Sequence, residues 1–407
     1  MKSKISPVQG SERYQSLDLL RGIAVLGILV MNIQSFSMID AAYLNPTAYG
    51  DLTGMNKLVW ILSHIFTDQK FMTIFSILFG AGIIIITNRA DSKGVSAAGL
   101  HYRRTLWLLI IGLIHAYLIW HGDILVSYAL CAFIAFLFRK LSPKKLFIIG
   151  ILLILINSLI YSFFGWTLQN WPPDAINGIM ETWNPCSETI EKQVTIFRGE
   201  WSGQIGYHVF TSIFFQTFVF AIWTGWRAGG LMLIGMALYK WNVLTAGCSG
   251  SFYKKGSLIG LSIGIPIIIV GVIKNFQHNF TLEYSMFYGW QYNHWGSLLV
   301  SFGYICIIML ITKSFQNNKV IKLLSGVGRM ALTNYILQSL ICTTIFYGHG
   351  FGLYGQVERK FQILIVFVVW VVVIIFTNIW LKYFIFGPVE WLWRSLTYLK
   401  IQPIRIK

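Results

Sequence analysis

Apolar runs long enough to cross roughly 30 Å of hydrocarbon begin near Leu17, Phe71, Thr105, Ile124, Leu146, His208, Ser257, Ser297, Met330 and Phe361. The pattern predicts an all-α polytopic membrane protein of about ten transmembrane helices. Residues 1–407 read as a single integral membrane domain, without a repeat, low-complexity tract or soluble domain boundary. Segment Lys57 to Thr67 is apolar on one side but short, and is expected to lie at the interface before the chain dives back at Phe71. The run His208 to Tyr239 would measure about 48 Å as one straight helix, too long for the hydrocarbon layer. A break is therefore predicted near Gly225, Arg227, Gly229 and Gly230, with Gly225/Gly229 and Gly260/Gly264 read as helix-packing pairs.

Two non-spanning pieces stand out. Residues 166–207 carry Trp166, Trp171, Trp183 and Trp201 among acidic residues and are read as an ordered extracytoplasmic loop, either a lid or a tryptophan belt. A second outer loop, 274–294, adds His278, Glu283 and Tyr284. Residues 388–407, with Trp391, Trp393 and Arg394, read as a cytoplasmic amphipathic anchor in which Glu390 and Arg394 pair at i,i+4.

Composition sharpens the picture: hydrophobic residues make up 56% of the chain and charged residues 12%, and the mean hydropathy is +0.63, values no soluble domain of this length shows. The net charge of +17 is explained by its distribution. Basic residues crowd one set of connections (Lys2, Lys4, Arg13, Arg89, Arg103, Arg104, Arg139, Lys144, Lys254, Lys319, Lys382 and Lys407 among them), which places both termini in the cytoplasm. That asymmetry argues against a nucleic-acid partner. Of the five cysteines only Cys186 is extracytoplasmic, so no outer disulfide is available. The first span is too long and too polar at its inner end for a cleaved signal peptide and reads as a signal anchor.

The chemistry sits on polar residues inside apolar runs. At about 100° per residue, Arg21 and Asn32 return to within roughly 20° of each other, about 16 Å apart along the axis. Asp18 lies one turn below Arg21. Arg104 and His115 repeat the eleven-residue spacing on the third span, beside Arg103. Arginine suits phosphate recognition and a neutral imidazole serves as a general base. The pattern therefore fits an acyl-coenzyme A entering from the cytoplasm with its thioester leading. The plainer alternatives are an Asp18–Arg21 ion pair, interhelical hydrogen bonds from Asn32 and His115, and positive-inside arginines. His121 and Asp123 at the next turn, and His64 with Asp68, are candidate substrate contacts; neither pair has the further ligands a metal needs, so no metal is predicted. Asn334 and Gln338 form a polar stripe on the ninth span, and Arg227 would need a cavity or a partner. No P-loop, dinucleotide fingerprint or serine-hydrolase elbow is found.

The blocks LDLLRGIAVLGILVMNI at Leu17, FSILFGAG at Phe75, GLIHAYLIWHGDILVSYAL at Gly112, GRMALTNYILQSLICTTIFY at Gly328 and GPVEWLWR at Gly387 resemble the YeiB family of bacterial inner-membrane proteins, over nearly the whole chain. The first block is also similar to the opening helix of the transmembrane acyltransferase superfamily, which includes heparan-α-glucosaminide N-acetyltransferase. Members carry an arginine followed after ten residues by histidine or asparagine, matched here by Arg21 and Asn32. The resemblance implies a multi-pass protein of the bacterial inner membrane that moves an acyl group from cytoplasmic acyl-coenzyme A to an extracytoplasmic carbohydrate or amine. In that scheme Arg21, Arg103 and Arg104 hold phosphates, Asn32 positions the thioester, and Asp123 orients His115 or the acceptor. With asparagine at position 32 the base must come from elsewhere, His115 first and His64 second. The alternative is a transporter of a small solute that uses the same polar residues, with Arg227 on its path. A third is a scaffold with no pocket joining Asn32 and His115.

Overall fold

The computed structural model describes residues 14–315 and 317–406; the predicted inner basic residues Lys2, Lys4, Arg13 and Lys407 lie outside them. The protein is an all-α polytopic membrane protein. Seven of its described helical segments are long and apolar enough to cross a membrane, joined by two shorter apolar helices, Leu125–Phe138 and Ala331–Phe346. All ten predicted runs fall in helices, and several helices begin roughly two turns before the apolar run. Backbone hydrogen bonding continues past the point where side chains turn polar.

Helix α1 (Gln15–Ser37) is enclosed along most of its length. A short α2 (Ala41–Leu44) and the amphipathic α3 (Gly54–Phe66) follow, and the chain turns through Gln69, at φ 63°, into α4 (Lys70–Ser92). Helix α5 (Ala97–Leu118) is capped by Ser96, and α6 (Leu125–Ala135) by the Asp123 carboxylate, which accepts the Val126 N–H at 2.8 Å. After α7 (Pro143–Thr167), the predicted loop of residues 166–207 is instead largely helical: α8 (Pro173–Trp183), α9 (Ser187–Arg198) and the start of α10 (Trp201–Phe214). It is pinned down by Trp183 Nε1 donating to the Phe280 carbonyl, by Arg198 Nε donating to the Tyr354 carbonyl and by the fully buried Phe197. Of its tryptophans, Trp183 is a buried packing anchor, whereas Trp166 and Trp201 are exposed.

The predicted break in the long run is present. Helix α10 widens into π-helical turns over Phe215–Thr224 before α11 (Gly225–Lys240) resumes. The glycine packing is partly relocated. A Cβ on Gly229 would touch only the Cys131 sulfur, whereas one on Gly230 would strike the α7 backbone at Gly150. Gly260 and Gly264 of α12 (Gly250–Gln277) do pack as expected, meeting Gly303 and Gly296 of α13 (Trp290–Ser314).

Helix α14 (Lys319–Arg329) crosses α1 where Gly22 faces Gly328, and a Cβ on either would overlap the opposing backbone. That crossing brings Asp18 and Arg21 beside the start of α15 (Ala331–Phe346). Helix α16 (Arg359–Tyr383) presents Leu364, Val368, Val371 and Ile375 outward, as a lipid-facing helix does. The C-terminal α17 (Pro388–Tyr398) folds back across the arginine-bearing end of the bundle. Here Glu390 turns inward, accepting the Leu332 and Thr333 N–H groups at 2.7 and 3.0 Å and so capping α15, while Arg394 lies over the Phe386 ring at 4.6 Å.

Candidate functional site

Helices α1, α4, α5, α6, α14, α15 and α17 line a cavity of about 220 Å³. Arg21, Arg104, Arg329 and Arg394 stand in its wall together with Asp18, Glu390 and Trp393. Arg21 marks the open end: it is 29% exposed and bonds Asp18 at 3.1 Å. Arg104 stacks on Trp393 at 3.8 Å, and the Trp393 indole N–H donates to the Arg104 carbonyl at 2.8 Å. Arg103 points elsewhere, donating to the Thr397 carbonyl at 3.1 Å, and does not line the cavity. The polar stripes of α1 and α5 thus meet across a shared space through Arg21 and Arg104. Burial pushes the Glu390 carboxyl above the usual carboxylate range, against the pull of its bonds to Thr333 and Leu332.

Deeper in, the walls turn apolar, with Ile28, Phe75, Phe79, Leu108, Leu125 and Tyr335. The cavity closes one turn short of Asn32 on α1, one turn short of Ser339 on α15 and two turns short of His115 on α5. Beyond it lies a buried trio. His115 Nδ1 is 2.8 Å from Asp123 Oδ1, and His115 Nε2 is 2.9 Å from Ser339 Oγ. With Asp123 accepting from Nδ1–H, Nε2 is the nitrogen free to accept the serine O–H, which also lies 3.3 Å from the Tyr335 carbonyl one turn back on its own helix. The order nucleophile, base, carboxylate is that of a serine hydrolase or acyltransferase. Tyr335 separates the trio from the cavity, its ring 5.1 Å from that of His115 and its hydroxyl buried without a described partner.

Among the other predicted residues, Asn32 is half-buried and makes no hydrogen bond with a described residue. His121 does not join His115: its Nε2 meets Asp40 Oδ1 at 3.0 Å and its Nδ1 meets His208 Nδ1 at 3.2 Å. His64 and Asp68 are bonded at 3.1 Å, in a buried network where Asn293 donates to Asp68 at 2.7 Å and Lys70 donates to Asn293 and to the His64 carbonyl, each at 2.7 Å. Arg227 is enclosed by His294, Thr73 and Ser297. Asn334 ties α14 to α16, donating to the Val327 carbonyl and accepting from Thr377, each at 3.0 Å. Gln338 is buried, with its Nε2 unpartnered among the described residues.

Sequence reasoning missed Ser339, Asp40 and His208. Ser339 sits beside Gln338 in the polar block of α15, so the block carried a signal, but nothing local distinguished a nucleophile from helix glue.

Comparison with known proteins places the chain in a family. Residues 238–400 match a family described as "Protein of unknown function (DUF418)". The chain is 33% identical over 393 residues to "Uncharacterized protein YeiB" of Escherichia coli (strain K12), covering 95% of this chain and 96% of that one. It belongs to the YeiB family. A Bacillus subtilis (strain 168) relative, "Uncharacterized protein YxaH", is 31% identical over 430 residues, covering 100% of this chain and 99% of the relative. The similarity to these YeiB-family proteins runs from α1 to α17, so the cavity and the buried trio both lie within the shared length.

Proposed function

We propose that the protein is a membrane acyltransferase that takes an acyl group from acyl-coenzyme A at the cytoplasmic face and passes it to a carbohydrate or amine at the extracytoplasmic face. The observation that carries this reading is the in-line, buried Ser339–His115–Asp123 arrangement just beyond an arginine-walled cavity. At about 220 Å³ the cavity is smaller than most ligand pockets. It suits the slender pantetheine arm, with the nucleotide and its phosphates left among the arginines at the mouth. The rise of about 16 Å from Arg104 to His115 is on the scale of that arm when extended.

His115 Nε2 takes the Ser339 proton as Oγ attacks the thioester carbonyl. The C–S bond breaks, coenzyme A leaves as the thiolate and is protonated in the cytoplasm, and the imidazolium is held by Asp123. Asn32, as many residues in from Arg21 as His115 is from Arg104 and with its amide uncommitted among the described residues, stabilises the developing oxyanion. Arg227, which the transport reading places on a permeation path, is engaged by protein acceptors, which weighs against that reading. The cavity reaches neither Asn32 nor His115, as the scaffold reading expects, so acyl transfer requires Tyr335 to move aside and open the way to Ser339. The test is incubation of purified protein with labelled acetyl-coenzyme A and mass analysis of Ser339. Acylation lost in Ser339→Ala and His115→Ala is expected; release of coenzyme A by Ser339→Ala at the normal rate would overturn the assignment.

A further inference from the structure

At the end of the bundle away from the arginines lies a second hydrogen-bonded relay. Asp40, in the turn after α1, is 31% exposed. It accepts from the Tyr207 hydroxyl at 2.6 Å and from His121 Nε2 at 3.0 Å. As the acceptor of both bonds, Asp40 takes a hydrogen from His121, which therefore carries a proton on Nε2.

The next link fixes a second tautomer. His121 Nδ1 faces His208 Nδ1 at 3.2 Å, and a single hydrogen fits between them. When the His121 imidazole is neutral, that hydrogen belongs to His208 Nδ1 and His208 Nε2 presents a lone pair. His208 is fully buried, and this nitrogen has no partner among the described residues. Leaving a buried polar atom unpaired costs about 1–3 kcal/mol, so a bound water or a ligand's polar group is expected to meet this nitrogen. The surroundings repeat the signal. The Trp120 indole N–H and the Tyr347 hydroxyl are likewise buried and unpartnered among the described residues. Trp120 packs edge-on to His115 with 6.2 Å between rings, and Tyr347 lies 6.2 Å from the His208 ring.

We propose that His208 is the general base that removes the acceptor's proton in the second half of the reaction, with Asp40 and His121 as its positioning residues. The acceptor is a hydroxyl or amine nucleophile reaching Ser339 from the Asp40 end, and Trp120 and Tyr347 supply hydrogen bonds to its polar groups. The step balances. The acceptor oxygen or nitrogen bonds the acyl carbon while its proton goes to His208 Nε2. The acyl C–O bond to Ser339 breaks, and the serine oxygen recovers the proton kept by His115. His208 then discharges through His121 and Asp40 to water. This rests on Ser339 as the acyl carrier, and the two claims are read out separately.

The test uses purified full-length protein acylated with labelled acetyl-coenzyme A and challenged with two probes: glycerol, whose hydroxyl needs a base, and hydroxylamine, which is already unprotonated at neutral pH. His208→Gln is expected to form acyl-Ser339 normally, to lose transfer to glycerol by roughly 10²-fold or more, and to keep its reaction with hydroxylamine. Asp40→Asn should show the same split, more weakly, with the glycerol reaction recovering as pH rises. Glycerol transfer at the normal rate in His208→Gln, or loss of both probe reactions together, overturns the role of His208. Absence of acyl-Ser339 in the unaltered protein overturns both claims, whereas normal acylation with an unaltered glycerol reaction overturns only this one.

Discussion

Asp123→Asn separates a catalytic carboxylate from a structural one, because each Asp123 oxygen has its own task. Oδ2 accepts the Val126 N–H at 2.8 Å and starts α6; Oδ1 accepts from His115 Nδ1 at 2.8 Å. Asparagine has one acceptor and one donor where the carboxylate has two acceptors. If its oxygen keeps the cap, the NH₂ faces His115 Nδ1 and forces the imidazole into the tautomer protonated on Nε2. That nitrogen then donates to Ser339 and cannot take its proton. The stability cost is one charge-assisted hydrogen bond, about 1.5–3 kcal/mol, and the fold survives. The cost to acylation is that of losing the general base, on the order of 10²–10⁴-fold. The assay is the rate at which labelled acyl-coenzyme A acylates Ser339 in single turnover, beside a thermal melt of the same preparation. An Asp123→Asn variant that melts a few degrees lower yet acylates within about threefold of normal would refute the tautomer reasoning. In the double variant with His115→Ala, the two losses should fall well short of adding.

Further outcomes follow from other contacts. Arg104→Gln removes a cavity guanidinium and should weaken coenzyme A binding by roughly tenfold to a hundredfold, read as a smaller ligand-induced rise in melting temperature; an unchanged rise would remove Arg104 from the donor site. Lys70→Met strips the donor from Asn293 and from the His64 carbonyl and removes one of the positive groups near Asp68, leaving His64 and Arg227, which should cost roughly 3–5 kcal/mol in thermal or denaturant unfolding; a loss under about 1 kcal/mol would mean the network contributes little. Glu390 has a folded pKa raised above its unfolded value of about 4.3, so its stabilising contribution is full below that pH and is lost as pH rises through the folded value. Glu390→Gln should therefore melt higher than the unaltered protein at neutral pH, with the gap closing toward about pH 4; a gap that widens on acidification would reverse the sign.

The sequence by itself determined the architecture. Crossing hydrocarbon demands long apolar runs whose backbone is satisfied internally, a constraint written residue by residue, and the runs from Leu17 to Phe361 all became helices. Helical periodicity also put Arg21 and Arg104 on defined faces, and the structure brings both to one cavity. The pairing of His115 with Asp123, eight residues apart across one turn, was within local reach. Tertiary structure alone decided the rest. Ser339 meets His115 from 224 residues away, and His208 meets His121 from 87, through contacts no spacing encodes. It also withdrew Arg103 to the C-terminal helix, turned Glu390 inward as a cap, and enclosed Arg227 in hydrogen bonds. A buried polar residue reads the same in sequence whether it glues helices or handles a proton. Which of these it does depends on which lone pairs its neighbours leave unsatisfied, and that is settled only when the helices pack.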